Sequence, residues 1–368
     1  MGPLQGIKVI EMAGIGPVPL CGMMMSDMGA EVYLVERKSG ASAEASLHVS
    51  RRDMMKRGKK VIALDLKDQD DIGLLLNLVA RADVLLEGFR PGVMERLGLG
   101  PDVCHARNPA LVYGRLTGWG QEGPLAQVAG HDPNYISLTG ALYHSGAADR
   151  PPEAPPTLLG DCAGGTAMMA WGISSALLHA HRTGQGQVVD AAIVDGLAYL
   201  SSFARSFYQA GHISDQRGGQ WMDGAAPWNR AYACGDGGYI TLCPVEAKFY
   251  QVLLQKLELL EHPLFADLNQ WDRERWPAQC QHLRDMFLGR SRDDWCKLLE
   301  GTDACFAPVL TYGEVHDHPH NSASEAYIEV DGQWHPAPAP RFSATRAERA
   351  WQDAEPESQE AIVASLLS

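Results

Sequence analysis

The order of apolar segments predicts an α/β protein with a Rossmann-like large domain, built on a mostly parallel sheet, and a smaller α+β domain. Three observations carry this. Short apolar runs alternate with helix-spaced segments from Ile7–Met12 to Gln187–Ala192, the pattern of repeated βα units. Periodicity then fails between Gly211 and Asn229, where Gly, Asp, Arg and Trp crowd together, as expected of a linker or a long crossing segment. Beyond it, Gly235-Asp236-Gly237-Gly238 separates the apolar runs Ala231–Cys234 and Tyr239–Cys243, a hairpin signal. The expected division is a large domain over 1–210, a linker over 211–229, a small α+β domain over 230–320, a return linker over 321–335 and completion of the large domain by about 336–368.

Ile7–Met12 reads as a strand, Gly14-Ile15-Gly16-Pro17 as a turn, Leu20–Met28 as a helix and Val32–Val35 as a second strand. Glu36 lies about twenty residues beyond Gly16, where an acidic residue meets the ribose of a dinucleotide. Pro19 stands where the third glycine of that motif belongs, however. Pro17 and Pro19 also remove backbone donors that a pyrophosphate uses, so the turn argues against a nicotinamide cofactor.

Strand Val61–Leu66 follows, then a helix through Ile72, Leu75, Leu76, Leu78 and Val79, and strand Val84–Glu87. Gly88 to Gly98 is a glycine-bounded turn with a short helix, and Arg90 projects from a strand end, a position from which it can face a phosphate. Leu111–Leu116 is the next strand. Thr117-Gly118-Trp119-Gly120-Gln121 is a loop whose glycines admit a close backbone approach. A parallel sheet of this kind takes its ligand at the carboxyl ends of its strands.

Gly130-His131-Asp132-Pro133 is a helix start leading through Tyr135, Ile136, Leu138 and Leu142. Asp161 falls at the N-cap position of a tightly packed helix running to about His181. Strand Gln187–Ala192 and a helix from Asp195 through Phe207 complete this half. The second half reads as helices over Phe249–Leu257, Pro277–Leu288 and Asp293–Leu299, the last with a capping pattern in Ser291 and Asp294. Asp303–Leu310 reads as a buried connector, and Pro336–Pro340 as extended chain. His316, His318 and His320 alternate beside Pro319, which favours an exposed run over a metal site.

The chain has 368 residues, 45% hydrophobic and 21% charged, an ordinary balance for a soluble globular protein. Its longest apolar runs fall short of a bilayer span, and a cytoplasmic location with no membrane partner is expected. Eight cysteines without a C-x-x-C pair indicate neither a zinc ribbon nor a disulfide framework, and read as buried thiols. A net charge of −14 argues against general nucleic-acid binding, yet six of the ten residues from Arg51 to Lys60 are Lys or Arg. Such an island suits a phosphorylated small molecule; a solvated basic loop is an equal reading of the charge alone.

His131 and Asp161 are the candidate acid and base. An imidazole and a carboxylate on one segment suit a reaction in which a proton leaves one face of a carbon and another arrives on the opposite face. Each residue also has a structural reading, as a helix cap or a hydrogen-bonded core group.

Several blocks in fixed order give these residues a family likeness: Gly88-Phe89-Arg90-Pro91-Gly92-Val93-Met94, Thr117-Gly118-Trp119-Gly120-Gln121, Gly130-His131-Asp132-x-Asn134-Tyr135, Gly160-Asp161, Gly184 to Ala191, and Thr302-Asp303-Ala304-Cys305. Over nearly its whole length the chain resembles the class III coenzyme A transferase family, and most closely its α-methylacyl-CoA racemase branch. The resemblance implies catalytic roles for His131 and Asp161, with Glu246 supporting the histidine. It implies an acyl-CoA thioester substrate bound along Arg37, Leu64, Asp65, Leu66, Lys67 and Arg90, and by Gly130, Asp132, Asn134 and Tyr135. Neither a metal nor a separate cofactor is implied. An interlaced homodimer is, in which Glu246 comes from the other chain. The transferases of the family resemble a Gly-Tyr-Asp pattern where this chain has Gly130-His131-Asp132. Pro133, Cys162 and the residues flanking Glu246 depart from the racemase pattern, which bears on acyl specificity.

Overall fold

The computed structural model describes residues 2–38, 53–155, 157–345 and 357–367. These fall into two compact units, one formed by 1–141, 155–202 and 328–368, the other by 142–154 and 203–327.

The first unit is built on six strands: β1 (Lys8–Met12), β2 (Glu31–Arg37), β3 (Lys59–Leu64), β4 (Val84–Glu87), β5 (Val112–Thr117) and β6 (Val188–Ala192). They lie in the order β3-β2-β1-β4-β5-β6, and every neighbouring pair is parallel. This is the doubly wound order in which the direction of strand addition reverses between β1 and β4. Helix α1 (Pro17–Asp27) follows β1, α2 (Gln69–Val79) follows β3, and the short α3 (Val93–Arg96) and α4 (Pro101–Arg107) follow β4. Both faces of a parallel sheet must be covered. On one face Ile10, Tyr33, Ile62, Leu85 and Tyr113 pack with Leu75 and Leu78 of α2 and with Ile362 and Leu366 of the helix Gln359–Leu367. On the other, Gly114 of β5 lies against Met169 and Ile173, which belong to α6 (Met168–Thr183).

The predicted strands are found within a few residues, the usual uncertainty of element ends. Two helices differ from expectation. The helix after His131, α5, spans only Asp132–Ser137 and does not reach Leu142. The segment from Asp195 to Phe207 is two helices, α7 (Ile193–Leu200) and α8 (Ser202–Gln209).

The second unit holds the antiparallel sheet β7 (Arg230–Ala233), β8 (Tyr239–Leu242) and β9 (Phe306–Val309). Packed on it are α9 (Ala247–Lys256), α10 (Trp276–Phe287) and α11 (Arg292–Leu299), around Trp228, Tyr232, Phe265, Phe287 and Trp295. The connector after Asp303 is thus a strand, and its residues alternate between half-buried and exposed. Ser291 caps α11 as expected, its side chain accepting the Asp294 N–H. Among the described residues no helix is long and apolar enough to cross a membrane. No group of three or more His, Cys, Asp or Glu among them could hold a metal ion; His318 instead pairs with Glu300 at 2.8 Å. Cys21, Cys104, Cys234 and Cys280 are buried thiols, whereas Cys243 is exposed.

Candidate active site

The point of reversal lies between β1 and β4, and two glycine turns flank it. Gly14 to Gly16 leads from β1 into α1, with Gly16 at φ +82°, a left-handed conformation that a side chain resists. Across from it, Gly88-Phe89-Arg90 leaves β4. A Cβ on Gly88 would stand 3.0 Å from Val18 of α1, so glycine lets this turn lie close to the helix. Glu87, 1% exposed, holds the turn by accepting the Phe89 N–H at 2.7 Å and the Arg115 Nε–H at 3.2 Å. Burial pushes the Glu87 carboxyl up, against the opposing pull of the Phe89 N–H and Arg115. Arg90 itself is exposed.

The β2–β3 register places Arg37 directly opposite Leu64. Arg37 and Lys67 are exposed at these strand ends. Leu64 is buried, and the half-buried Leu66 packs against the same core. Asp65 closes the turn, its carboxylate accepting the Lys67 N–H at 3.0 Å. Among the described residues, no side chain pairs with Arg37, Lys67 or Arg90.

The basic island is a different structure from the phosphate patch its charge suggested. Arg51 and Arg52 lie outside the described residues. Arg57 is buried and pairs with Asp27, its Nε–H donating at 3.0 Å, and also donates to Pro336 O. Lys59 is buried against Glu11, donating to Oε1 at 2.8 Å and to Pro19 O at 2.8 Å. Lys56 pairs with Glu36, and Lys60 with Glu31 and Glu357. The physical reason is the acidic excess of the chain: each described cation of the island has a carboxylate within reach.

Gly130 to Tyr135 is shaped by two aromatic rings. Tyr135 and Trp119 meet edge to face with centroids 4.8 Å apart, and Trp119 Nε1–H donates to Val128 O at 3.1 Å. The Tyr135 hydroxyl donates to Gly130 O. A Cβ at Gly118 would overlap the Tyr135 ring, and one at Gly130 would stand 2.8 Å from it. Those glycines are therefore fixed by packing. Asn134, read as a binding residue, turns its side chain back to accept the His131 N–H at 3.0 Å. The Asn134 and Tyr135 N–H groups both return to His131 O, and Pro133 has no N–H. The Asp132 N–H remains, with no protein acceptor among the described residues. His131 is exposed.

Asp161 is not an N-cap. It lies within a π-helical segment, Leu158–Ala167, that runs into α6, and Thr157 precedes it at φ 56°. The wide turn carries a Cys162 N–H to Thr157 O bond of 3.0 Å. An early turn leaves backbone donors unmatched, and the Asp161 N–H is taken by the buried carboxylate of Asp132, at 2.8 Å. Gly160 makes this possible, since a Cβ there would sit 2.6 Å from Asp132 Oδ2. The segment is anchored from outside by Thr166, whose hydroxyl donates to Pro17 O at 2.8 Å, and by Gly164 and Gly196, which bring α7 into backbone contact. Asp161 Oδ2 comes within 3.8 Å of a Cβ position on Gly16, so the β1 turn looks onto it. Burial and the neighbouring Asp132 charge push the Asp161 carboxyl up, and the His131 charge pulls it down. Tyr135 is raised by burial and by Asp161, and lowered by Arg90. These mutual effects place His131, Asp132, Tyr135, Asp161 and Arg90 in one electrostatic neighbourhood.

Glu246 belongs to the second unit. It occupies the N-cap position of α9 without capping it by its side chain, and its carboxylate is exposed. Sequence reasoning missed Glu87 and the side-chain role of Asp132; a buried strand-end acid such as Glu87 gives no periodic signal.

The fold and site define a doubly wound α/β protein with cations at its strand ends and an imidazole–carboxylate couple near the point of reversal. Comparison narrows that class: the chain belongs to CoA-transferase family III, whose profile matches residues 4–360. It is 41% identical to "Alpha-methylacyl-CoA racemase" of Homo sapiens over 347 residues, covering 94% of this chain and 87% of that protein. With the Mus musculus protein of the same name it is 41% identical over 337 residues, 92% of this chain and 85% of that one. A crystal structure of a CAIB/BAIF family protein from Brucella suis superposes with a TM-score of 0.82 at 26% identity, covering 99% of both chains.

Proposed function

We propose that this enzyme interconverts the (2R) and (2S) epimers of 2-methylacyl-CoA thioesters by moving the α-proton through an enolate. The observation that carries the reading is the placement of His131 and Asp161 in one electrostatic neighbourhood, with Asp161 raised by burial and Asp132 and lowered by His131. A thioester acidifies its α-hydrogen because the carbonyl oxygen shares the carbanion's charge. That oxygen needs a donor, and the uncommitted Asp132 N–H is suited to it.

In one direction neutral His131 takes the proton and protonated Asp161 returns one to the other face. In reverse, the Asp161 carboxylate removes it and the His131 imidazolium donates. The couple must hold one exchangeable proton in either resting form, so its titration belongs to the pair. The reaction needs no separate cofactor, since the thioester supplies the acidity. Arg37, Lys67 and Arg90 are suited to CoA phosphates, being exposed at the strand ends and paired with no side chain among the described residues.

The test is α-deuterium incorporation from heavy water into both epimers of a panel of 2-methylacyl-CoA esters, after dialysis against chelator. Wild type is expected to exchange and racemise, and His131→Ala to lose about 10²–10⁴-fold of its turnover. Exchange that needs an added metal or nicotinamide would overturn the reading. CoA transfer through an anhydride at Asp161 is the alternative, and would show as capture of Asp161 by hydroxylamine together with dependence on an acceptor acid. The imidazole of His131 in place of the transferases' tyrosine favours racemisation.

Glu246 completes the proposal as support for the histidine of a partner chain in an interlaced homodimer. A purified mixed dimer of His131→Ala and Glu246→Ala chains then has one intact site and one doubly altered site, and recovers about half of wild-type activity in a two-fold assembly. Activity no higher than the average of the parent dimers would exclude this arrangement.

A further inference from the structure

Asp132 is 4% exposed, and among the described residues no cation pairs with its carboxylate. It accepts the Asp161 N–H at 2.8 Å. It lies against Gly160, where even a methyl group would collide. A buried charge without a counter-ion is costly, and here it is aimed at the backbone of the residue that must carry a proton. We propose that Asp132 is a positioning residue that fixes the Asp161 backbone and, through its own negative charge, favours the proton-carrying form of the Asp161 carboxyl. The inference deepens the racemase reading and rests on it for the use made of that proton.

Two roles are separable. As an acceptor, Asp132 pins the first turns of the π-helical segment and so sets where the Asp161 carboxyl stands. As a charge, it disfavours a second carboxylate nearby, the effect that separates two acids sharing a site. A purely structural residue would fill the first role alone. Other groups could shape the titration. α5 and its start bring His131, Asp132 and Tyr135, and the π-helical segment itself brings Cys162. α1 brings Cys21 and Asp27, the latter tied to Arg57. α6 brings His179, His181 and Arg182; α7 brings Asp195 and Tyr199; β6 brings Asp190. Of these, the charges that act on Asp161 are those of Asp132 and His131.

The experiment compares wild type with Asp132→Asn. Asn can accept the same N–H, so a purely structural role leaves it silent. The readouts are the carboxyl ¹³C titration of Asp161, assigned by its loss in Asp161→Asn, and the pH profile of kcat/KM. Removing the charge lowers the proton affinity of Asp161, so its midpoint and both limbs of the profile are expected to move to lower pH by about one unit or more. Gly160→Ala, which drives Asp132 away from the same contact, is expected to shift the midpoint in the same direction and serves if Asp132→Asn does not fold. An unchanged Asp161 midpoint in a folded variant overturns the proposal. A shifted midpoint in a protein that exchanges no α-proton keeps the role of Asp132 and removes the racemase reading; racemisation with an unmoved midpoint does the reverse.

Discussion

Two sets of basic residues in the first unit have opposite fates. Lys59 and Glu11 have side chains 1% and 0% exposed, and Arg57 is buried beside Asp27, all beneath or beside α1. Arg37, Lys67 and Arg90 stand exposed at the carboxyl ends of β2, β3 and β4. The first set was conspicuous as a run in the sequence and the second was scattered. Density of charge along a chain therefore says little about which cations stay exposed. Position relative to the strand ends says more, because a parallel sheet leaves its loops and unpaired backbone groups there.

The largest effect expected from this contrast is on stability. Lys59→Ala leaves Glu11 buried without its partner, and burial already holds that carboxyl up at about 7 despite Lys59. Breaking such a pair costs about 3–5 kcal/mol, to be read as a shift in urea denaturation. KM for acyl-CoA in the protein that remains folded is expected to stay near wild type. A variant of undiminished stability and weakened substrate binding would move Lys59 from the interior to the site.

A smaller effect, and on binding, is expected at the strand ends. Arg90→Ala is expected to raise KM about tenfold, the worth of one charged hydrogen bond, with kcat changed by less than about threefold. Arg37→Ala is expected to act in the same sense and more weakly. A rise in KM with kcat nearly unchanged is the signature of contacts that hold ground and transition states alike. Wild-type KM is expected to rise with ionic strength, and less steeply in the Arg37→Ala, Arg90→Ala double variant, since exposed charges are screened. A KM indifferent to both residues and to salt would erase the distinction between the two sets.

Much of the architecture is legible in the sequence. β1 and β4 announce themselves as apolar runs bounded by glycine, and β4 is found at Val84–Glu87 as expected. Gly130 to Tyr135 and Gly160-Asp161 stood out as glycine-punctuated motifs, and they do meet through the Asp132 to Asp161 contact. The strand β9 was hidden because Phe306-Ala307-Pro308-Val309 is too short to show alternation and contains a proline, which suits an edge position. The shortened α5 and the break between α7 and α8 were equally silent, since nearby apolar residues keep a helical spacing after the hydrogen-bonded helix has ended.

What the sequence determined by itself is what depends on neighbours along the chain. That covers the alternation of strands and helices, the glycine turns at strand ends, and the pairing of an imidazole with a carboxylate in one motif-bearing stretch. The tertiary structure decided which charges became interior and which stayed exposed. It also decided whether Asp161 caps a helix or sits within one, and what surrounds its carboxyl. Arg57 meets Asp27 and Lys59 meets Glu11 across 30 and 48 residues, and Asp132 meets Asp161 across 29. Contacts of that separation depend on where the sheet brings distant segments together, and a carboxyl's proton affinity follows from those contacts and from burial.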